Sequence, residues 1–107
     1  MPKFLFQGSY YGEGLKGLAA EGGTSRVEAA RQLFSSLGGT LEHFYFAFAP
    51  ENLVVICDLP DNEAAAAFSL AINNSGAAQG HVTALLSPEE MDRAITRSPA
   101  YRAPGDS

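Results

Sequence analysis

The feature that most constrains the fold is a pair of apolar stretches, TLEHFYFAF at 40–48 and LVVICDL at 53–59, joined by the polar segment APEN. Both stretches are rich in β-branched and aromatic residues, and Pro50 and Asn52 favour a turn between them. They therefore predict a β-hairpin of two antiparallel strands. Because side chains alternate across a strand, each strand presents one apolar face and one mixed face. Other elements must cover the apolar face.

Further elements are predicted on both sides of the hairpin. They are strands over 3–10 and 78–86 and helices over 25–38, 61–76 and 87–97. Ser25 and Glu28 have the spacing of a capping box, and apolar residues then recur at helical period. Asp61 and Ser87 are the candidate N-caps of the second and third helices.

The order of these elements is β-α-β-β-α-β with an added C-terminal helix. It is the split βαβ order of ferredoxin-like α+β folds, with one four-stranded antiparallel sheet and both main helices on one face. A chain of 107 residues suits one domain, which we place at residues 1–97. Residues 98–107, SPAYRAPGDS, are predicted to form an irregular tail.

A glycine-rich connector is predicted over residues 12–24, with one short amphipathic turn formed by Leu15, Leu18 and Ala19. It contains the string G-x-G-x-x-G at Gly12, Gly14 and Gly17. A dinucleotide site needs such glycines at the turn from a strand into a helix, with an acidic residue about 20 positions further on. Here the helix is predicted to begin only at Ser25, and the segment at that distance, SLGGT, has no acid. We interpret the string as a flexible connector and predict no cofactor.

Charge and composition exclude several function classes. The chain has seven basic and twelve acidic residues, and the basic residues are scattered along the sequence. This distribution argues against nucleic-acid binding. No apolar run approaches the ~20 residues of a membrane-spanning helix, and no export signal is recognised, so we expect a cytoplasmic protein outside membranes. A single cysteine excludes an internal disulfide, and the two histidines lack metal-ligand spacing, so no metal site is predicted.

Side-chain alternation divides the hairpin into two faces. If Phe48 lies opposite Leu53, one face is wholly apolar and includes Cys57, which we interpret as a buried residue rather than a nucleophile. The other face mixes apolar and polar residues, and in this register His43 lies directly opposite Asp58. Such a pair suits acid–base chemistry, and it equally suits the turn chemistry found at strand ends.

The mixed face needs a cover, because one layer of helices covers only one side of a sheet. The simplest cover is a second copy packed sheet to sheet, with polar groups lining a cavity between the subunits. We therefore expect a homodimer or a larger homo-oligomer with a small-molecule ligand in that cavity. The candidate lining residues are Gln7, Tyr10, His43, Tyr45, Asp58 and, from the tail, Tyr101.

Several segments resemble one family of small bacterial proteins. MPKFLFQGSYYGEGLKGL, EHFYFAF, VVICDLPDN, TALLSPEEMDRA and SPAYRAPG are similar to GYD domain proteins, and the similarity covers nearly the whole chain. The resemblance implies a ferredoxin-like fold of the dimeric α-β barrel type. It carries over no catalytic residues.

Three functions of different classes agree with these residues. The first, which we favour, is a homo-oligomeric module that binds or senses a small molecule in the sheet-face cavity. The second is a cofactor-independent oxygenase or isomerase-type enzyme in which His43 and Asp58 form an acid–base pair and Tyr45 assists. The third is a structural oligomer with no ligand, whose polar residues pair with each other across the interface.

Overall fold

One antiparallel sheet with helices against it forms the body of the protein. A computed structural model describes residues 1–106. The elements are β1 (Lys3–Tyr10), α1 (Glu13–Glu21), α2 (Gly23–Ser36), β2 (Thr40–Phe46), β3 (Leu53–Asp58), α3 (Asn62–Asn74), β4 (Ala78–Leu85) and α4 (Pro88–Ile95). These four strands and four helices confirm the predicted α+β class.

The strands lie in the order β2-β3-β1-β4, and all neighbours are antiparallel. Strand β3 therefore separates β1 from β2, and β1 separates β3 from β4. Each β-α-β unit is split by a strand of the other unit, an arrangement compatible with the predicted ferredoxin-like fold.

The core lies between one face of the sheet and the helices α2 and α3. Alternate residues of the central strands are buried, namely Phe4, Phe6, Leu53, Val55 and Cys57. Phe34 from α2 and Phe68 from α3 meet them, with ring centroids 4.8 Å apart, and the Phe68 ring lies 5.2 Å from that of Phe6. This aromatic cluster determines which face of the sheet the helices cover.

Local capping signals set several helix ends. The Asp61 side chain accepts a hydrogen bond from the backbone of Ala64 at 2.9 Å, which confirms it as the N-cap of α3. Ser87 and Glu90 form a complete capping box at the start of α4. Gly38 follows α2 with a positive φ of 78°, a conformation that glycine adopts without strain.

The glycine-rich connector contains more helix than predicted, because residues 13–21 form helix α1, where only one short turn was expected. Gly12 makes the turn into this helix with a φ of 54°. A Cβ at Gly14 would lie 2.1 Å from the carbonyl oxygen of Ala77, so the helix packs directly on the turn before β4. Two of the three glycines in the string therefore have a folding role.

Helix α2 begins earlier than predicted, at Gly23 instead of just after Ser25. Its N-cap position is Gly22, and the Ser25 hydroxyl donates to Glu21 at 2.9 Å. The predicted capping box of Ser25 and Glu28 is therefore wrong. The Ser25 hydroxyl bonds instead to Glu21, the last residue of α1, and this helix was not predicted to extend so far.

The hairpin register also differs from the prediction. Six residues, 47–52, join β2 to β3, and the Ala47 amide donates to the Asn52 carbonyl at 2.9 Å. Phe46 lies opposite Leu53, and Phe48 projects from the loop fully exposed. A bulge between Leu41 and His43 shifts the pairing again.

The C-terminal part of the chain extends away from the sheet. No residue of α4 is buried, and residues 98–106 contain no helix or strand. The radius of gyration is 17.2 Å, and the longest dimension is 60 Å. A compact chain of this length has a radius of about 13 Å. The division between a domain at 1–97 and a tail at 98–107 stays a prediction, and Ser107 lies outside the described residues.

Within residues 1–106, none of the helices combines the length and the apolar character required to cross a membrane.

Candidate functional site

A cavity of about 180 Å³ lies between α2, α3 and the sheet. Helix α2 packs on β2 and helix α3 on β4, which are the two edge strands of the sheet. The central strands β1 and β3 run along the line between the two helices, and the cavity lies there among the side chains that α2, α3 and the sheet contribute. On α2 the wall carries the small residues Ala29 and Ala30, which leave room there.

The cavity has an apolar interior and a more polar mouth. Its interior is formed by buried core residues, which include Phe6, Phe34, Leu53, Val55 and Phe68. Tyr10, Arg26, Ser75 and Ala77, which are exposed or half-buried, line it nearer the surface. Such a site excludes water from most of a bound molecule and offers polar contacts at one end.

Arg26 and Tyr10 form the main polar contact at the mouth. The Arg26 Nε donates to the Tyr10 hydroxyl at 3.0 Å, and the guanidinium carbon lies 5.7 Å from the centroid of the Tyr10 ring. Nη1 of Arg26 also donates to Glu21 at 3.4 Å. The hydrogen bond to Tyr10 raises the pKa of Arg26 above its ordinary value, so the guanidinium stays charged.

Ser75 contributes a polar group from the end of α3, but this group is already engaged. Its hydroxyl donates to the Ile72 carbonyl at 2.7 Å and accepts from the Ala77 amide at 3.1 Å. Arg26 and Tyr10 are therefore the side chains at the mouth with donors left for a ligand.

The placement of Tyr10 corrects one expectation. Tyr10 was expected beside His43 and Tyr45, but it lies on the helix side of the sheet. Phe4 and Phe6 precede it at alternate positions of the same strand, and alternation carries Tyr10 to their face.

Arg26 is a functional candidate that was not predicted from the sequence. The available signal is its position on α2, four residues before Ala30 and seven before Leu33, which both pack against the core. A charged residue in register with a buried stripe lies at the edge of the core rather than on the outer surface.

All the remaining candidates except Tyr101 lie on the other side of the sheet, which we call the open face. It consists of alternate residues of all four strands, which include Lys3, Leu5, Gln7, His43, Tyr45, Val54, Ile56, Asp58 and His81. Gln7 lies between Val54 and His81, as the alternation predicted. The face assignment of Gln7, His43, Tyr45 and Asp58 is thereby confirmed, and in a single chain this face is open to solvent.

The predicted pairing of His43 with Asp58 is wrong. His43 lies opposite Ile56, because the longer loop and the bulge displace the register. Asp58 accepts a hydrogen bond from Lys3 at 3.0 Å, whereas His43 Nε2 lies 3.5 Å from Glu42. Lys3 also donates to Glu42, and these two carboxylates raise the pKa of Lys3, with Glu42 the larger cause. The acid–base pair on which the enzyme hypothesis relied is not formed.

Two aromatic candidates are strongly exposed. Tyr45 is 62% exposed and stacks on His43 with ring centroids 6.1 Å apart. Tyr101, in the tail, is 76% exposed. Neither residue contributes to the cavity on the helix side.

Cys57 is fully buried in the core, as predicted. Burial raises the pKa of its thiol to about 11, with a smaller contribution from Asp58. The thiol is therefore protonated near neutral pH, and a protonated, buried thiol is a poor nucleophile. Among residues 1–106, no group of three or more His, Cys, Asp or Glu side chains is placed to hold a metal ion.

Comparison with known proteins identifies a family. The family model of the GYD domain matches residues 4–95, which include all four helices and the whole sheet except Lys3, the first residue of β1. No match was found among curated proteins or among solved structures.

Proposed function

The chain belongs to the GYD domain family, and we propose that it is a small-molecule-binding module whose ligand occupies the cavity between α2, α3 and the sheet. The cavity is the observation that carries this proposal. Protein interiors are close-packed, and this one leaves about 180 Å³ unfilled between largely apolar walls. A bound apolar molecule would fill this space and remove apolar surface from water.

The volume also limits the size of the ligand. A dry apolar cavity of about 150 Å³ in another protein takes up benzene, so about 180 Å³ accommodates one ring with a small substituent. We place the ligand here rather than on the open face because this cavity is formed within one chain.

We also propose that the open face packs against a second copy of the chain, as in a dimeric α-β barrel. Leu5, Val54 and Ile56 are only half-buried at its centre. Four strands of up to eight residues form a surface of about 19 by 26 Å, or about 500 Å² per copy. Two such surfaces bury about 1,000 Å², which reaches the lower limit of a specific interface.

The C-terminal segment supports an oligomer of this kind. Met91 and Ile95 lie on one side of α4 and are 48% and 69% exposed, and Leu86 before the helix is 58% exposed. An amphipathic helix without a covered apolar face is typical of a segment that packs on another molecule. In a dimer these residues would add area to the interface of the two sheets.

The free thiol of Cys57 fits a reducing compartment and supports a cytoplasmic location.

The binding proposal is tested with toluene as an apolar probe of one ring. Toluene should raise the melting temperature of the wild type in a saturable manner, because a ligand that binds only the folded state stabilises it. Ala30→Leu fills the cavity from α2 and should abolish the shift. Gln32→Leu, at an exposed position of the same helix, should leave the shift unchanged. A wild type that does not respond to toluene contradicts the proposal.

The oligomer proposal has its own test, which is the native mass of the purified protein. An even number of copies supports it, and a monomer at micromolar concentration contradicts it. A small molecule released from the native complex would identify the chemical class of the ligand directly.

A further inference from the structure

Building on the proposed binding function, we infer that the ligand of the cavity is a small anion, namely a compact apolar molecule of one ring or one branched chain with a single carboxylate that Arg26 binds. The inference names the ligand class of that same site. It rests on the donors at the mouth and on the shape of the space behind them.

The donors at the mouth outnumber the acceptors. The Tyr10 hydroxyl accepts the bond from Arg26, which leaves its own proton to be donated. A guanidinium has five N–H donors, of which one goes to Tyr10 and one to Glu21. The Ser75 hydroxyl already donates and accepts within its own turn. A ligand that completes this mouth must therefore bring acceptor atoms.

The charge at the mouth favours an anionic acceptor over a neutral one. Arg26 remains charged and presents a planar fork that matches the two oxygens of a carboxylate. Its existing partner Glu21 comes from the end of α1, and the side chains of both are about one third exposed, at 34% and 38%. An ion pair exposed to this degree is weak, so a ligand carboxylate can share or replace it.

The interior restricts the rest of the molecule. Behind Arg26 the wall consists of aromatic and aliphatic side chains, and Phe6, Phe34 and Phe68 lie at its deep end. A second charge on the ligand would be buried there without a partner, which is strongly unfavourable. The site therefore selects molecules with one polar end, and a volume of about 180 Å³ limits them to about one ring.

Benzoate and toluene form the matched pair of probes for this inference. They have nearly the same shape, and benzoate carries a carboxylate where toluene carries a methyl group. Both affinities are measured by calorimetry on the full chain. Arg26→Met should weaken benzoate about ten-fold or more, because a hydrogen bond to a charged group is lost, and should leave toluene within about two-fold. Arg31→Met, on the exposed side of α2 where Arg31 pairs with Glu28 at 3.1 Å, should change neither.

The outcomes separate the inference from the function on which it rests. If both probes bind and Arg26→Met weakens only benzoate, the anionic class is supported. If both bind and Arg26→Met weakens neither, the anionic class is overturned while the cavity remains a binding site. If neither binds the wild type, both are overturned. Should Arg26→Met fail to fold, Tyr10→Phe removes the second donor and keeps the ring, and it should weaken benzoate but not toluene.

Discussion

Ala30→Leu should stabilise the protein in the absence of ligand, because it fills the cavity from the inner side of α2. Ala30 lines the cavity and packs against the buried core. Leucine adds three carbon atoms, and each is worth about 0.8 kcal/mol when it is removed from water, so the gain is at most about 2.4 kcal/mol. The lost rotamer freedom of leucine offsets about 0.5–1 kcal/mol of this. We expect a net gain of about 1.5 kcal/mol, or roughly 6–12 °C in Tm.

The assay is urea denaturation followed by circular dichroism, with all variants at one protein concentration, because association changes apparent stability. Gln32→Leu is the matched control, since residue 32 is exposed on the same helix. The free energy of unfolding of this variant should differ from that of the wild type by less than about 0.5 kcal/mol. Overpacking a filled core costs about 1–3 kcal/mol. If Ala30→Leu shows a loss of that size, the space we describe is not available, and the proposed binding site is refuted with it.

Three further predictions concern the core, the open face and the glycines. Because burial raises the pKa of Cys57 from 9.0 to about 11, the folded state keeps this proton longer than the unfolded state. Stability should therefore fall by about 1.4 kcal/mol per pH unit between these values, and a Cys57→Ala variant should lack that part of the decline over the same pH series. Leu5→Asp places a charge at the centre of the open face and should yield monomers by sedimentation, and an unchanged native mass would contradict the interface. Gly80→Ala puts a Cβ 2.4 Å from the Phe6 ring and should cost about 1–3 kcal/mol in thermal unfolding, whereas Gly17→Ala, in a helix with open space around it, should be neutral or stabilising.

The parts of the fold that were predictable from the sequence depend on local interactions. Asp61 and Ser87 cap their helices through residues three positions away, so the pattern contains the whole interaction. Helix α1 differs, since Gly14 and Gly17 lower its intrinsic helix propensity. Its position depends on the close approach of Gly14 to Ala77, a contact across more than 60 residues that no local pattern displays. Tertiary packing therefore overrides the propensity of this segment.

The candidate site was predicted in part, for a similar reason. Alternation with a period of two places His43 and Tyr45 on the face of β2 opposite to Phe44, which packs against the core, and that assignment holds. The partner of His43 depends on loop length and on the bulge, and neither has a clear signal in the residues. The contact between Arg26 and Tyr10 joins α2 to β1, and the cavity behind it exists because α2 and α3 lie over opposite edges of the sheet. Relations of this kind between elements become visible only in the assembled fold.

The two proposed surfaces are formed by the same central strands, which makes the difference between a sensor and a simple binding module measurable. In β1 the neighbours Phe6 and Leu5 point to the cavity and to the open face, and in β3 the neighbours Val55 and Val54 do the same. A sensor requires that the ligand have different affinities for two states of association. Thermodynamic linkage then requires two factors to be equal. One is the factor by which dimerisation changes the affinity for the ligand, and the other is the factor by which the ligand changes the dimerisation constant. We expect a sensor to bind toluene about five-fold or more differently as the wild-type oligomer and as the Leu5→Asp monomer. Equal affinities of the oligomer and the monomer for toluene would mean that binding in the cavity and association through the open face are not coupled. The protein would then bind its ligand without any change in its state of association.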